Sequence, residues 1–160
     1  MGADYSAVQK TLLSFRGFGH RLEYIGEVKG IRFYDDSKAT NVGAVVKALE
    51  GLNEPIILIA GGRDKGGDYY PLQELIQHKV KTLILIGEAR EIMMKQLGGV
   101  TKTEYADSIE EAVLRAFQQG VPGDVVLLSP ACSSFDMFRD YVQRGNVFQN
   151  AVRELGANDS

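Results

Sequence analysis

Three short runs of apolar residues decide what this chain can fold into: Ile56-Ile57-Leu58-Ile59-Ala60, Thr82-Leu83-Ile84-Leu85-Ile86 and Val125-Val126-Leu127-Leu128. None alternates with polar residues. A strand with one wet face alternates, whereas a strand covered on both faces reads as a continuous apolar run. The runs therefore predict parallel strands with helices on either side. Helical stripes fill the gaps between them: Val42, Val45, Val46 and Leu49, then Ala89, Ile92, Met93 and Leu97, then Ile109, Ala112, Val113, Ala116 and Phe117. Ser108 with Glu111 gives a capping-box signature ahead of the last stripe. Pro71 suits the first turn of a helix carrying Leu72, Leu75 and Ile76. Strands alternating with helices predict an α/β fold with a doubly wound, mostly parallel, Rossmann-like sheet.

The start of the chain breaks this rhythm. Arg21 to Val28 and Ile31 to Asp35 are strand-like runs joined across Lys29-Gly30, which predicts a hairpin and one antiparallel edge strand. A weaker strand is expected near Val100 to Tyr105. Phe135 to Leu155 is expected to be helical, opened by Ser133-Ser134 and broken near Gly145-Asn146. The domain is expected to span 17–156, with 1–16 as a linker or the end of a preceding domain and 157–160 as a disordered tail.

Composition narrows the function class. The 160 residues suit one domain with its own core, and 18 basic against 21 acidic residues leave a net charge of −3. No basic excess points to nucleic acid or a membrane surface. No apolar run reaches the length of a membrane span, and the first residues lack a signal-peptide layout. The single cysteine, Cys132, cannot form an intrachain disulfide, and no Cys/His cluster suggests zinc. A reducing, cytoplasmic location is expected. Met1 to Ser6 fits a myristoylation pattern, too short to carry weight.

Polar residues gather where the strands should end, which is where open α/β sheets bind ligands. After the hairpin comes Asp35-Asp36-Ser37-Lys38-Ala39-Thr40-Asn41, and after the first apolar run Gly61-Gly62-Arg63-Asp64-Lys65-Gly66-Gly67-Asp68. After the third comes Ser129-Pro130-Ala131-Cys132-Ser133-Ser134. The glycine-rich loop could bring backbone N–H groups and Lys65 to an anion, or be a solvated turn, the commoner state. It is neither a Walker A loop nor a GxGxxG motif. Lys38 to Asn41 can cap a helix, bind an anion at its N-terminus, or both. Ser133-Ser134 offers the same choice. Phe135, Phe138 and Tyr141 step by three and alone read as core. Cys132 reads as a small buried thiol.

Five stretches together resemble the C-terminal domain of the Mur ligases: His20-Arg21-Leu22-Glu23, Asp36 to Asn41, Gly61 to Gly66, Leu128 to Asp136 and Arg144-Gly145-Asn146-Val147-Phe148. The first loop is closest to the branch of the family that adds D-glutamate. The resemblance implies a three-domain ligase of peptidoglycan synthesis. ATP, with Mg, converts the carboxylate of UDP-N-acetylmuramoyl-L-alanine into an acyl phosphate, and the amine of D-glutamate displaces phosphate. It further implies catalytic roles for Lys38 and Lys65, a substrate site of Thr40, Lys65, Ser134, Phe135 and Tyr141, and a nucleotide site of Arg21, Asp36 and Lys38. Tyr141 stands where the family usually has Phe. No metal ligand is expected in this chain, because magnesium would be held by the central domain. His20 would sit at the hinge into the domain, and the roles of Arg63 and Asp64 stay open. A monomer is expected, unable to turn over alone. A stand-alone anion-binding module, or a ligase domain for another amino acid, are the alternatives.

Overall fold

The computed structural model describes residues 19–158. The expected linker over 1–16 and the myristoylation pattern lie outside the described residues. The elements run β1 (Glu23–Val28), β2 (Ile31–Asp35), α1 (Val42–Glu50), β3 (Ile56–Gly61), a 3₁₀ turn (Tyr70–Leu72), α2 (Gln73–Lys79), β4 (Val80–Ile86), α3 (Arg90–Leu97), β5 (Lys102–Tyr105), α4 (Ile109–Gln119), β6 (Val125–Leu128) and α5 (Tyr141–Asn158).

The strands form a six-stranded sheet in the order β1-β2-β6-β3-β4-β5. Only β1 is antiparallel, paired with β2; the other four pairings are parallel. Lys29 and Gly30 both take positive φ, 50° and 81°, and turn the hairpin. This is the geometry that matches strand twist in a two-residue connection.

The apolar runs are continuous because both sheet faces are covered. Ile56, Leu58, Leu83, Leu85, Val125 and Leu127 pack with residues of α1, α2 and α3. Ile57, Ile59, Ile84, Ile86, Val126 and Leu128 pack with residues of α4 and α5 on the other side. The helices contribute the stripes seen in sequence, such as Val45 and Leu49 from α1 and Ile109, Ala112, Val113 and Ala116 from α4.

Sheet order places the site. β6 lies between β2 and β3, and all three run parallel. The chain leaves β2 and β3 toward the face covered by α1 and α2, but leaves β6 toward the face covered by α5. That divergence opens a crevice over the carboxyl end of β6, the switch point of an open α/β sheet.

The C-terminal segment corrects three expectations. Ser133-Ser134 does not open the last helix. Arg63 N donates to Ser133 O at 3.0 Å, in a bridge that holds this stretch extended, and Ser134 O then accepts from Phe138 N in a single turn. Asp140 caps the helix instead, its Oδ1 accepting from Gln143 N at 2.8 Å. The break at Gly145-Asn146 is absent, and α5 runs through both residues. Gly145 serves close approach rather than termination: a Cβ there would overlap the His20 imidazole and lie 2.7 Å from Asp35 Oδ2. The helix also continues through Ala157 and Asn158, inside the expected tail.

Candidate ligand site at the carboxyl rim of the sheet

The loops after β2, β3 and β6 meet at the switch point and are stitched together. Gly61 N donates to Pro130 O at 2.9 Å, Ala131 N to Ala39 O at 2.9 Å and Asp36 N to Leu128 O at 2.8 Å. The paired glycines belong to this stitching. A Cβ at Gly61 would strike the Ile86 carbonyl and one at Gly62 the Ser133 carbonyl, with φ at 118° and 144°. Four amides of the loop are already committed. The N–H groups of Gly61 and Arg63 serve neighbouring loops, and those of Gly66 and Gly67 serve Asp64. What the loop offers a ligand is the exposed Lys65 side chain.

Behind the loops lies a buried polar scaffold. Asp35 is fully buried and accepts from His20 Nδ1 at 2.5 Å, Gln149 Nε2 at 2.8 Å and Ser37 N at 2.9 Å. The hydrogen bond that His20 donates to Asp35 holds the His20 pKa above its ordinary value. Arg144 is also buried, donating to Ser37 O, Ser37 Oγ and Cys132 O. In the sequence Arg144 stands out only as part of a motif, and nothing there pairs Asp35 with Gln149. The apolar flanks of α5 give no hint of its polar inner edge.

Two clefts flank the 36–41 loop. The larger, about 520 Å³, is lined by Arg21, Asp36, Lys38, Asn41 and Lys47 among others. The smaller, about 180 Å³, is lined by Thr40, Arg63, Lys65, Tyr69, Cys132 and Ser133 among others. The three residues assigned to a nucleotide thus share one cleft, and Thr40 meets Lys65 in the other. Lys38 and Lys65 fall in different clefts. Lys38 Nζ instead lies 5.7 Å from the Tyr141 ring centroid, and the His20 ring meets the same ring edge-on. Ser134 is buried and Phe135 is 58% exposed, and neither lines these two clefts. Phe135 is not core.

Asp36 carries a local task of its own. It is nearly buried, and its oxygens accept from Leu22 N at 3.0 Å and Ser129 Oγ at 2.8 Å. Burial pushes its pKa up to about 6, against those two bonds. Asn41 caps α1, its Oδ1 accepting from Ala44 N at 2.9 Å. Cys132 is buried with its Sγ 3.3 Å from Tyr69 Oη, and burial pushes its thiol up, so it is no nucleophile. Among the described residues, two buried side-chain atoms lack a partner, Ser133 Oγ and Asp136 Oδ1, both in the loop after β6.

Arg21, Lys38 and Lys47 make the larger cleft fit a polyanion, while Lys65 and Arg63, the latter paired with Glu88, beside the hydroxyls of Thr40, Tyr69 and Ser133 make the smaller fit a carboxylate. Among the described residues, no helix is long and apolar enough to cross a membrane.

The Mur ligase, glutamate ligase domain family matches residues 20–132. The UDP-N-acetylmuramoylalanine–D-glutamate ligase of Geotalea daltonii is 52% identical over 158 residues, 99% of this chain and 35% of that protein. A murein peptide ligase from Psychrobacter arcticus superposes with a TM-score of 0.63 at 16% identity, over 92% of this chain and 32% of its own. The MurF ligase of Thermotoga maritima in complex with ADP superposes at 0.54 with 15% identity, over 92% and 36%. These structural likenesses show the fold, and the chain spans about a third of the length of the relatives it matches. By the family match over most of its length, the chain belongs to the Mur ligase family, as its C-terminal glutamate ligase domain.

Proposed function

We propose that this chain is the amino-acid- and nucleotide-contacting domain of an ATP-dependent ligase that joins D-glutamate to UDP-N-acetylmuramoyl-L-alanine in peptidoglycan synthesis. The observation that carries the reading is the 52% identity to a D-glutamate ligase over 158 residues, a span that takes in every rim loop. The division of the rim into a polycationic cleft and a carboxylate-sized one supports it.

In this reading Lys65 and Thr40 bind a carboxylate of D-glutamate from the β3 and β2 sides. Tyr141 forms an aromatic wall, and Ser134 and the Phe135 N–H, outside both clefts, are assigned to the same ligand on the β6 side by the family resemblance alone. Arg21 and Lys38 face the phosphates of ATP, with Asp36 fixing the loop that carries Lys38. The substrate carboxylate attacks the terminal phosphorus and releases ADP. The amine of D-glutamate then attacks the acyl carbon, phosphate leaves and the nitrogen loses a proton. Lys38 and Lys65 lower the energy of the negative charge that gathers during both steps.

Magnesium finds no oxygen cage among the described residues. The single candidate cluster is His20, Glu23 and Asp35. It offers an imidazole to a cation that prefers oxygen, and its Asp35 carboxylate already accepts three hydrogen bonds. No step here runs through a metal held by this chain.

The test is kinetic. In the full-length ligase, Lys65→Ala and Ser134→Ala should each raise KM for D-glutamate roughly tenfold or more. An unchanged KM in both would overturn the assignment. Replacing D-glutamate by other amino acids in an ADP-release assay separates a ligase of different specificity. The 160-residue chain alone should release no ADP from the complete substrate set, and clear turnover would refute its dependence on further domains.

A further inference from the structure

We propose that Asp64 and Tyr69 are positioning residues that hold Lys65 at the mouth of the smaller cleft. The proposal rests on the reading of Lys65 as a ligand-contacting cation. One oxygen, Asp64 Oδ1, accepts three hydrogen bonds: from Gly66 N at 3.1 Å, Gly67 N at 3.0 Å and Tyr69 Oη at 2.9 Å. The bend that carries Lys65 is thereby folded onto its neighbour's carboxylate. Tyr69 in turn is 2% exposed and anchored at both ends. Its backbone N donates to Gln96 Oε1 of α3 at 2.7 Å, and its hydroxyl lies 3.3 Å from Cys132 Sγ in the β6 loop. A loop with an exposed tip is thus tied to one helix and one neighbouring loop through a single buried ring.

The glycines fit the same device. Gly66 takes φ of +76°, which the tight bend requires. A Cβ on Gly67 would lie 3.1 Å from Tyr69 Cζ and 3.2 Å from its oxygen. Lys65 itself has no hydrogen bond or ion pair among the described residues, and it lines the cleft beside Thr40. A lysine on a loose loop would have to order backbone and side chain together on binding. With the backbone fixed beforehand, only the side chain remains to be ordered, and affinity rises accordingly. Asp64, whose role the sequence left open, is in this view the fold of the loop rather than a ligand to substrate.

Two measurements test this. In the 160-residue chain, Asp64→Ala and Tyr69→Phe should speed amide hydrogen exchange at Gly66 and Gly67 about tenfold or more while β3 amides stay protected. In the full-length ligase, Asp64→Ala should raise KM for D-glutamate about tenfold with kcat little changed. Asp64→Asn, which keeps the accepting oxygen, should restore most of it. Added to Lys65→Ala, the Asp64→Ala change should cost nothing more. Unchanged exchange at both glycines overturns the proposal. So does a loosened loop with unaltered KM when Lys65→Ala raises it, or an equal KM rise with Lys65 already removed. If Lys65→Ala alone leaves KM unchanged, the ligand reading fails instead, and exchange at Gly66 and Gly67 decides the fate of the pin.

Discussion

The Arg144 guanidinium closes on Ser37 at two points, Nε on the hydroxyl at 2.9 Å and Nη2 on the carbonyl at 2.6 Å. Its Nη1 donates to Cys132 O at 3.0 Å, and the Ser37 hydroxyl donates to Tyr141 O at 2.7 Å. One side chain from α5 therefore joins the loops after β2 and β6. Its bonded acceptors are all neutral, and burial pulls its pKa down to about 10, still charged at neutral pH. Arg144→Lys keeps the charge and loses the fork, so it should destabilise the chain by about 2 kcal/mol. Urea unfolding measures this. Equal stability of the lysine variant would mean that the charge, and not the fork, matters here.

His20 and Asp35 make stability depend on pH. His20 is held above its ordinary pKa by its bond to Asp35, so the folded state favours the imidazolium. The stability from this pair is fully present below the unfolded histidine value and is lost as pH rises through the folded one. His20→Gln should therefore be more destabilised relative to the parent at pH 6 than at pH 9. Thermal unfolding at the two pH values checks this, and a constant difference would show that the bond is made by the neutral ring.

The strands were legible in the sequence because burial on both faces writes a pattern local to each run. Ile56–Ala60 says all that is needed about its own surroundings, and the helical stripes of α1 and α4 do the same. The positions of Lys38, Thr40 and Lys65 at the carboxyl rim followed from their place just after predicted strands. The interior of the rim was not legible. Gly61 and Gly62 read as a solvated turn or as an approach for an anion, and neither reading shows that they answer to Ile86 and Ser133, residues far along the chain. Gly145 read as a helix break because its true neighbours, His20 and Asp35, lie at the other end of the sequence. Ser133 read as a helix opener, by capping or by binding an anion, because its bridge to Arg63 is set by tertiary pairing that local propensity cannot encode.

Asp36 sets a second pH dependence, of the same sign. Burial raises its pKa from 3.8 to about 6. A carboxyl raised on folding favours the protonated form, so its contribution is greatest at low pH and is lost as pH rises through about 6. The loss is on the order of 2–3 kcal/mol. Asp36→Asn is a neutral isostere: its amide can donate to Ser129 Oγ, and its oxygen can still accept from Leu22 N. The variant should gain on the parent steadily from pH 4 to pH 7. A stability difference that stays flat across that range would place the Asp36 pKa at its ordinary value.

Gly145 tests whether the α5 scaffold tolerates any volume. The helix passes within contact of the His20 ring and the Asp35 carboxylate, and only hydrogen fits between them. Both neighbours are fixed. Asp35 is held by Ser37 N and Gln149 Nε2, and its removal from them would leave a buried carboxylate short of partners. Alanine favours helix over glycine by about 1 kcal/mol, which argues for a gain. The overlap argues for a loss, and overpacking in a fixed site costs about 1–3 kcal/mol, with the broken His20–Asp35 bond added to it. The loss wins. Gly145→Ala should lower the unfolding free energy by about 1–3 kcal/mol net and bring the His20 pKa back toward its ordinary value, read by NMR titration of the ring. An exposed helix glycine such as Gly43 provides the control, since its nearest contact for a Cβ is Asn41 Oδ1 at 3.5 Å. Equal effects at the two positions would show that α5 can shift outward and that the close approach at Gly145 is not a constraint.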